Sequence, residues 1–467
     1  MVSFNLLDIS IIIAFFILLT LIGLLPKKEE EGDSEEYLLS NRKVGLILFI
    51  MTNVATWYGG ILGVGEFTYR YGLLSWFTQG LPYYIFAIIF ALLFAKKIRK
   101  ASLFTIPDKI EEVYGRKVGI LSSVIVFVLV SPAPYILMAG SLFSLVFKLP
   151  LLAGLICTVL LSGLYLLKGG YKSDLYTDVF QFIVMFIGFG VVVYLSGAKF
   201  GGYSFLAEHL PASHLKPAGN VSVVYIIVWF LIALWTFADP GFHQRCYAAK
   251  SENVAMKGII ISVIFFALFD FLTTATGLYS RAVIPDLSNP VLAFPLYAEK
   301  ALSAGVKGLF YAAMFATILS TLNSFLFLSG TTFGRDFIYK LSKDKNSSKI
   351  NYYTRLGLII SSVISIFIAL KVQSVITIWY TIGSICIPPI ILLITGAYFE
   401  KFRISEKIAL LEVIISILAS CSWLVLKNYL SDPFLLEIEP MIVGLAAAGA
   451  VHFAGIIKEK RSLRDRF

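Results

Sequence analysis

Asn53-Val54-Ala55-Thr56-Trp57-Tyr58-Gly59-Gly60-Ile61-Leu62-Gly63-Val64-Gly65-Glu66 puts four glycines and a carboxylic acid into a run that is otherwise apolar enough to cross a bilayer. A continuous helix disfavours such residues, since each interior glycine costs about 0.5–1 kcal/mol against alanine. A second stretch breaks the pattern in the same way: Trp235-Thr236-Phe237-Ala238-Asp239-Pro240-Gly241-Phe242-His243-Gln244-Arg245. Its proline removes a backbone donor. Freed backbone groups at membrane depth are tolerated only where protein buries them or where they line a cavity. The glycines also suit close helix packing, and Asp239-Pro240 also suits a helix cap.

The surrounding chain is membrane material. Of 467 residues, 58% are hydrophobic, 15% aromatic and only 15% charged; mean hydropathy is +0.84. Soluble domains carry about 25% charged residues, so soluble catalysis and nucleic-acid binding are excluded. Apolar windows define an all-α integral membrane protein of about thirteen transmembrane helices, at 4–25, 44–69, 73–95, 118–147, 150–167, 174–197, 221–243, 254–280, 304–333, 354–370, 373–398, 405–428 and 438–457. No connection is long enough for a soluble domain, so residues 1–467 form one membrane unit in the lipid bilayer. The first run has no basic region before it and no cleavage site after it, and is expected to stay as a helix.

Charge sets the orientation. With the N-terminus outside, nine of the 39 Lys and Arg face outward (Arg70, Lys148, Lys199, Lys216, Arg281, Lys300, Lys307, Lys371 and Lys427), and the rest face the cytoplasm. Positive residues accumulate inside, so the N-terminus is expected outside and the C-terminus cytoplasmic. The acidic residues of the first inner loop, Glu29 to Glu36, weigh little in this rule. The net charge of +10 therefore reads as topology. Lys340–Lys349 reads as a solvated cytoplasmic turn, where the Asn346-Ser347-Ser348 sequon has no role. Cys157, Cys246, Cys386 and Cys421 show no metal or redox spacing and read as free thiols.

The two broken stretches lie five spans apart, so the halves they open, 44–197 and 221–398, have opposite orientation. The N-terminal helix 4–25 and the final pair 405–457 fall outside these halves. Breaks at matching positions of two inverted repeats point to a transporter's central binding site. A third segment adds oxygen ligands. Thr317, Ser320, Thr321 and Ser324 share one helical face. Two hydroxyls with three carbonyls from a broken helix would make a five-oxygen site for a hard cation. Small hydroxylated residues also glue membrane helices together.

Four motifs carry a family resemblance. They are Thr56-Trp57-Tyr58-Gly59-Gly60 with Tyr69-Arg70-Tyr71-Gly72; Gly169-Gly170-Tyr171-Lys172-Ser173-Asp174-Leu175-Tyr176-Thr177-Asp178-Val179-Phe180-Gln181; Pro240 to Ser251; and Ser320-Thr321-Leu322-Asn323-Ser324 followed by Arg335-Asp336. In order and placement they resemble the sodium:solute symporter family, which includes sodium-coupled proline, pantothenate, sugar, sialic-acid and choline transporters. The resemblance implies a leucine-transporter-like core of five plus five helices, spans two to eleven. It also implies a sodium ion held by the carbonyls of Asn53, Thr56 and Thr317 and the hydroxyls of Ser320 and Thr321. Asp178 holds the position of an acid that draws released sodium toward the cytoplasm, or caps its helix beside Lys172. Ala55 stands where several relatives carry Asp or Asn, which removes one further ion contact.

The implied activity is sodium-coupled symport into the cell of a small organic solute: an amino acid such as proline, an organic acid such as pantothenate, or a choline-like cation. The protein is expected to be a multi-pass cell-membrane transporter and not an enzyme, with Na+ as coupling ion and no organic cofactor or other metal. Trp57, Tyr58, Gly59, Trp235 and Phe237 flank the breaks and are candidates for the substrate cavity, where aromatic faces suit an ammonium group or a ring. The midplane is expected to lack Arg and Lys. Two intramembrane acids, Glu66 and Asp270, open the alternative of proton coupling, or serve as hydrogen-bonded structural acids. A solute receptor or channel without coupled accumulation is the other alternative.

Overall fold

The computed structural model describes residues 2–27, 33–342 and 346–464. Glu29, Glu30 and Glu31 of the first inner loop and Lys343, Asp344 and Lys345 of the later turn lie outside the described residues. The chain is 85% helix, with no strand among the described residues; a lone backbone bridge pairs Val44 with Ala249. Isolated apolar runs in hydrocarbon must pair their own backbone groups, and helix does so. Among the described residues ten helices are long and apolar enough to cross a membrane, or eleven if the bent pair Val375–Cys386 and Pro388–Tyr398 forms one span. That pair bends by 49° where Pro388 and Pro389 interrupt it.

The first helix, α1 (Leu6–Leu24), precedes the first broken pair, α2 (Leu46–Ala55) and α3 (Ile61–Tyr71). Then come α4 (Leu74–Ala101), α5 (Arg116–Phe147) and α6 (Leu151–Phe200). Pro132 and Pro134 kink α5 at Val130–Pro132. The second broken pair is α7 (Val223–Ile232) and α8 (Pro240–Ala248), with the short Trp235–Ala238 turn between them. Next are α9 (Glu252–Val283), α10 (Val306–Thr331) and α11 (Ile350–Val372). The bent pair, α12 and α13, follows, and α14 (Glu406–Leu426) and α15 (Pro440–Arg464) end the chain.

Two expectations change in detail. The connection expected at 168–173 contains no separate loop: two helices meet there, and α6 is the pair, 50 residues in all. At 1.5 Å per residue that is about 75 Å, well over twice a bilayer core of about 30 Å. It kinks at Gly170 (φ +53°, ψ −138°), where a Cβ would come 2.5 Å from the Tyr37 carbonyl oxygen. The second change concerns Arg245, counted above with a cytoplasmic connection. The helix restarts at Pro240 and continues through Ala248 with every residue buried, which carries Arg245 into the interior at 2% exposure.

α10 is the axis of the molecule: its span window is 94% buried, against 67% or less for every other span. α6 packs along it, and α1 and α5 pack on both. α1 also reaches the start of α10 directly. Asp8, fully buried, accepts from the backbone N–H of Gly305 at 2.9 Å and Gly308 at 3.0 Å. At the opposite end Asp108, on the short Ile106–Tyr114 helix, pairs with Arg335 and Lys340 at 2.8 Å each. Burial alone would raise the Asp108 pKa, but Arg335 and Lys340 outweigh it and hold the carboxyl well below the usual range.

Candidate functional site

α2 ends at Ala55, and the chain crosses five residues, Thr56–Gly60, before α3 begins. The hydroxyl face of α10 closes on this gap. Ser320 Oγ donates to the Ala55 carbonyl at 2.6 Å, and Thr321 Oγ1 donates to the Thr56 carbonyl at 2.8 Å. The Thr317 carbonyl lies 3.1 Å from Ser320 Oγ and 3.4 Å from Thr321 Oγ1. Three carbonyl and two hydroxyl oxygens thus converge between two helices, all on buried residues. Neutral oxygens are the ligand type a hard cation takes. Gly59 makes the approach possible, since a Cβ there would fall 2.4 Å from Thr321 Cβ.

Thr56, Thr317, Ser320 and Thr321 are therefore brought together. Asn53 is buried one turn earlier; the hydroxyl of Ser320 reaches the Ala55 carbonyl instead, and Asn53 Nδ2 lacks a hydrogen-bond partner. At the end of α2 the Thr56 amide bonds the Thr52 carbonyl and the Trp57 amide bonds the Val54 carbonyl, and the α10 hydroxyls meet the next two carbonyls, those of Ala55 and Thr56.

One turn further along α10, Ser324 Oγ donates to Asp174 Oδ2 at 2.6 Å and accepts from Arg245 Nη2 at 3.1 Å. Arg245 Nη2 also donates to the Thr52 carbonyl at 3.4 Å and lies 3.7 Å from Asp178. Asp178 is fully buried, and Lys172, its possible capping partner, faces Glu36 at 3.5 Å instead. Sequence reasoning missed Asp174 and Arg245 as interior groups. The available signal was the i, i+4 spacing of Asp174 and Asp178 after the Gly169-Gly170 kink.

Around the break the aromatic residues divide. Trp57 packs on Tyr83, Phe242 and Phe266 at ring separations of 5.4, 5.3 and 5.2 Å. Tyr58 is buried with its hydroxyl on the Phe266 carbonyl at 2.6 Å. Trp235 lies against Gly383, and Phe237 packs among Phe86, Phe90 and Phe94 with its ring tilted or edge-on to each. Trp379, absent from the sequence candidates, covers Gly60 and Gly63 and sits 5.9 Å from Tyr135. Tyr83, Tyr135 and Trp379 lie outside the two glycine- and proline-rich stretches quoted first, so those breaks do not separate them from the other aromatics in sequence. Asp239 caps α8 by accepting from the Phe242 amide at 2.8 Å. Glu66 pairs with Arg70 at 3.0 Å, and Asp270 accepts from the Tyr84 hydroxyl.

A family model, the sodium:solute symporter family, matches residues 37–416. The chain belongs to that family. It is 25% identical over 409 residues to the Homo sapiens high affinity choline transporter 1, covering 81% of this chain and 70% of that protein. It is 25% identical over 383 residues to the sodium/proline symporter of Staphylococcus aureus, covering 77% and 74%. Its fold matches a substrate-bound, outward-open Na+-coupled sialic acid symporter at TM-score 0.83 and 16% identity, over 97% of this chain and 98% of that one. Mhp1, a nucleobase-cation-symport-1 family transporter, matches at TM-score 0.58 and 13% identity, over 91% and 95%. The symporter is thus a multi-pass membrane transporter with a leucine-transporter-like fold, and not an enzyme.

Proposed function

We propose that the protein imports a small solute carrying an ammonium group across the cell membrane, driven by a sodium ion bound between α2 and α10. The reading rests above all on the contact of the Ser320 and Thr321 hydroxyls with the Ala55 and Thr56 carbonyls at the helix break. Those four oxygens and the Thr317 carbonyl would hold the ion, with Asn53 lining the inner edge. Sodium there joins the first broken helix to α10, and so stabilises the conformation in which both halves meet. Solute binding beside the same break shares that conformation. Each ligand then raises the affinity of the other by the same factor.

The solute class follows from what surrounds the break. Trp57, Tyr83, Tyr135 and Trp379 offer aromatic faces, Asp239 offers a carboxylate, and Trp235 closes against Gly383. An ammonium group satisfies both the ring faces and the acid. The interior guanidinium, Arg245, is committed to Ser324, Thr52 and Asp178. Asp178 lies on the cytoplasmic side of the ion site and receives sodium as it leaves. Thirteen spans, with the N-terminus outside and the C-terminus in the cytoplasm, fit the same reading. The kinked α6 is long enough for two crossings, and α2 with α3 forms one broken crossing.

Uptake of radiolabelled proline and choline into proteoliposomes, under an inward sodium gradient and under an equal potassium gradient, tests the assignment. Sodium-driven accumulation of one of them is expected. Equal uptake under both gradients, or accumulation driven by a proton gradient alone, would overturn it.

A further inference from the structure

A cavity of about 430 Å³ opens where the end of α6 meets the short Ala293–Ala301 helix and the segment leading into α10. Leu195, Phe200 and Leu302 give it apolar walls, while Lys199, Lys300 and Ser303 bring polar groups to it. Both ammonium groups rest on backbone carbonyls. Lys199 Nζ donates to the Ala301 carbonyl at 2.8 Å, and Lys300 Nζ donates to the carbonyl of Val283, the last residue of α9, at 3.2 Å. Among the described residues neither lysine pairs with a carboxylate. Glu299, the acid next to Lys300, is taken by the Ser3 hydroxyl at 2.6 Å and by Lys307 at 2.9 Å. An ammonium carries three donors, so each lysine keeps donors for a ligand, and the cavity keeps two positive charges.

The place of this cavity in the membrane follows from α6. Beyond the Gly170 kink the helix runs over residues 171–200, about 45 Å at 1.5 Å per residue, against a hydrocarbon core of about 30 Å. Its end therefore stands in the headgroup layer. Ile183, Ile187 and Tyr194 are exposed at spacings of four and seven, the stripe of a lipid-facing side. Tyr194 and Tyr203, exposed at 74% and 73%, flank the end of the helix as interface anchors do. We propose that the cavity holds the phosphate of an anionic phospholipid headgroup, on the membrane face where α1 meets the start of α10. Lys199 and Lys300 donate to the phosphate oxygens with Ser303 beside them, and the acyl chains run along the Tyr194 side of α6. A zwitterionic headgroup suits the cavity less, because its own ammonium meets two more. The bound phosphate ties the end of α6 to the helix that leads into α10, and this site stands whether or not sodium binds at the break.

The test is the association of spin-labelled phosphatidylglycerol and spin-labelled phosphatidylcholine with the full chain in phosphatidylcholine bilayers, read as the motionally restricted fraction of each label. The wild type is expected to select phosphatidylglycerol. That selectivity is expected to fall roughly fivefold for each lysine replaced in Lys300→Gln and in Lys199→Gln/Lys300→Gln, about 1 kcal/mol per charge. Lys199→Arg/Lys300→Arg keeps both charges and is expected to keep the selectivity. Lys300 is exposed, so Lys300→Gln serves as the independent check should the double variant fold poorly. Equal association of the two labels with the wild type, or selectivity that survives in both glutamine variants, overturns the proposal. Inorganic phosphate is the remaining arm: millimolar phosphate that removes the selectivity of the wild type marks a site for a free anion and overturns the lipid assignment, while selectivity that persists in phosphate supports it.

Discussion

Gly59 shows how one missing atom governs the proposed ion site. Its Cα faces Thr321 so closely that an added methyl would meet the threonine Cβ at 2.4 Å. In Gly59→Ala the side chain of Thr321 must withdraw from the Thr56 carbonyl, and overpacking of this kind costs about 1–3 kcal/mol. Sodium affinity is expected to fall by about tenfold or more, measured as the half-saturating sodium concentration for uptake; an unchanged value would remove Gly59 from the site. At this scale much was legible. The hydroxyls of Thr317, Ser320, Thr321 and Ser324 fall on one face by helical spacing alone, and the structure turns that face to the break. Which carbonyl meets Ser320 was not legible, because it depends on the residue at which α2 ends. Arg245 was not legible either: a cation near the end of an apolar run reads as topology, and only the restart of the helix at Pro240 carries it inside.

Single groups at the ends of elements decide how the helices are held. Asp8 caps the start of α10 from a different helix and faces Lys307 at 3.6 Å. Asp8→Ala is expected to destabilise by roughly 1–2 kcal/mol through lost capping alone, visible as a lower melting temperature without loss of the sodium response. His214 works at the C-terminal end of α3. It is buried, and its Nε2 bonds the Tyr69 carbonyl at 3.1 Å. Burial lowers its pKa against the opposing pull of that bond, and Arg281 adds to the lowering. A histidine with a depressed folded pKa contributes stability in full above the unfolded value of about 6.5, and loses it as pH falls through the window below. Melting temperature is therefore expected to drop between pH 7 and pH 5, and less steeply in His214→Gln; equal slopes would exclude this residue. Asp108 behaves oppositely: with its pKa held low, its bonds to Arg335 and Lys340 stay charged across that window.

The expectation of inverted repeats comes from two sequence breaks five spans apart, because an odd-numbered repeat must be inverted whatever its side chains do. The joins were harder to read. A polar connector at 168–173 looks like a loop, yet two helices meet there directly and the chain turns at Gly170 alone, which no hydropathy window registers. The substrate surroundings were the least legible part, since aromatic residues are everywhere in this chain and only three-dimensional packing separates Trp379 and Tyr135 from the others. The central claim is that sodium is held where α10 meets the broken helix. Melting temperature of the purified protein, followed as sodium replaces potassium at constant ionic strength, tests it most directly, because a ligand that binds the native state stabilises it by mass action. The wild type is expected to gain stability with sodium, while Ser320→Ala/Thr321→Ala, folded but lacking both hydroxyls, gains none. A double variant that keeps the wild-type response would contradict the account.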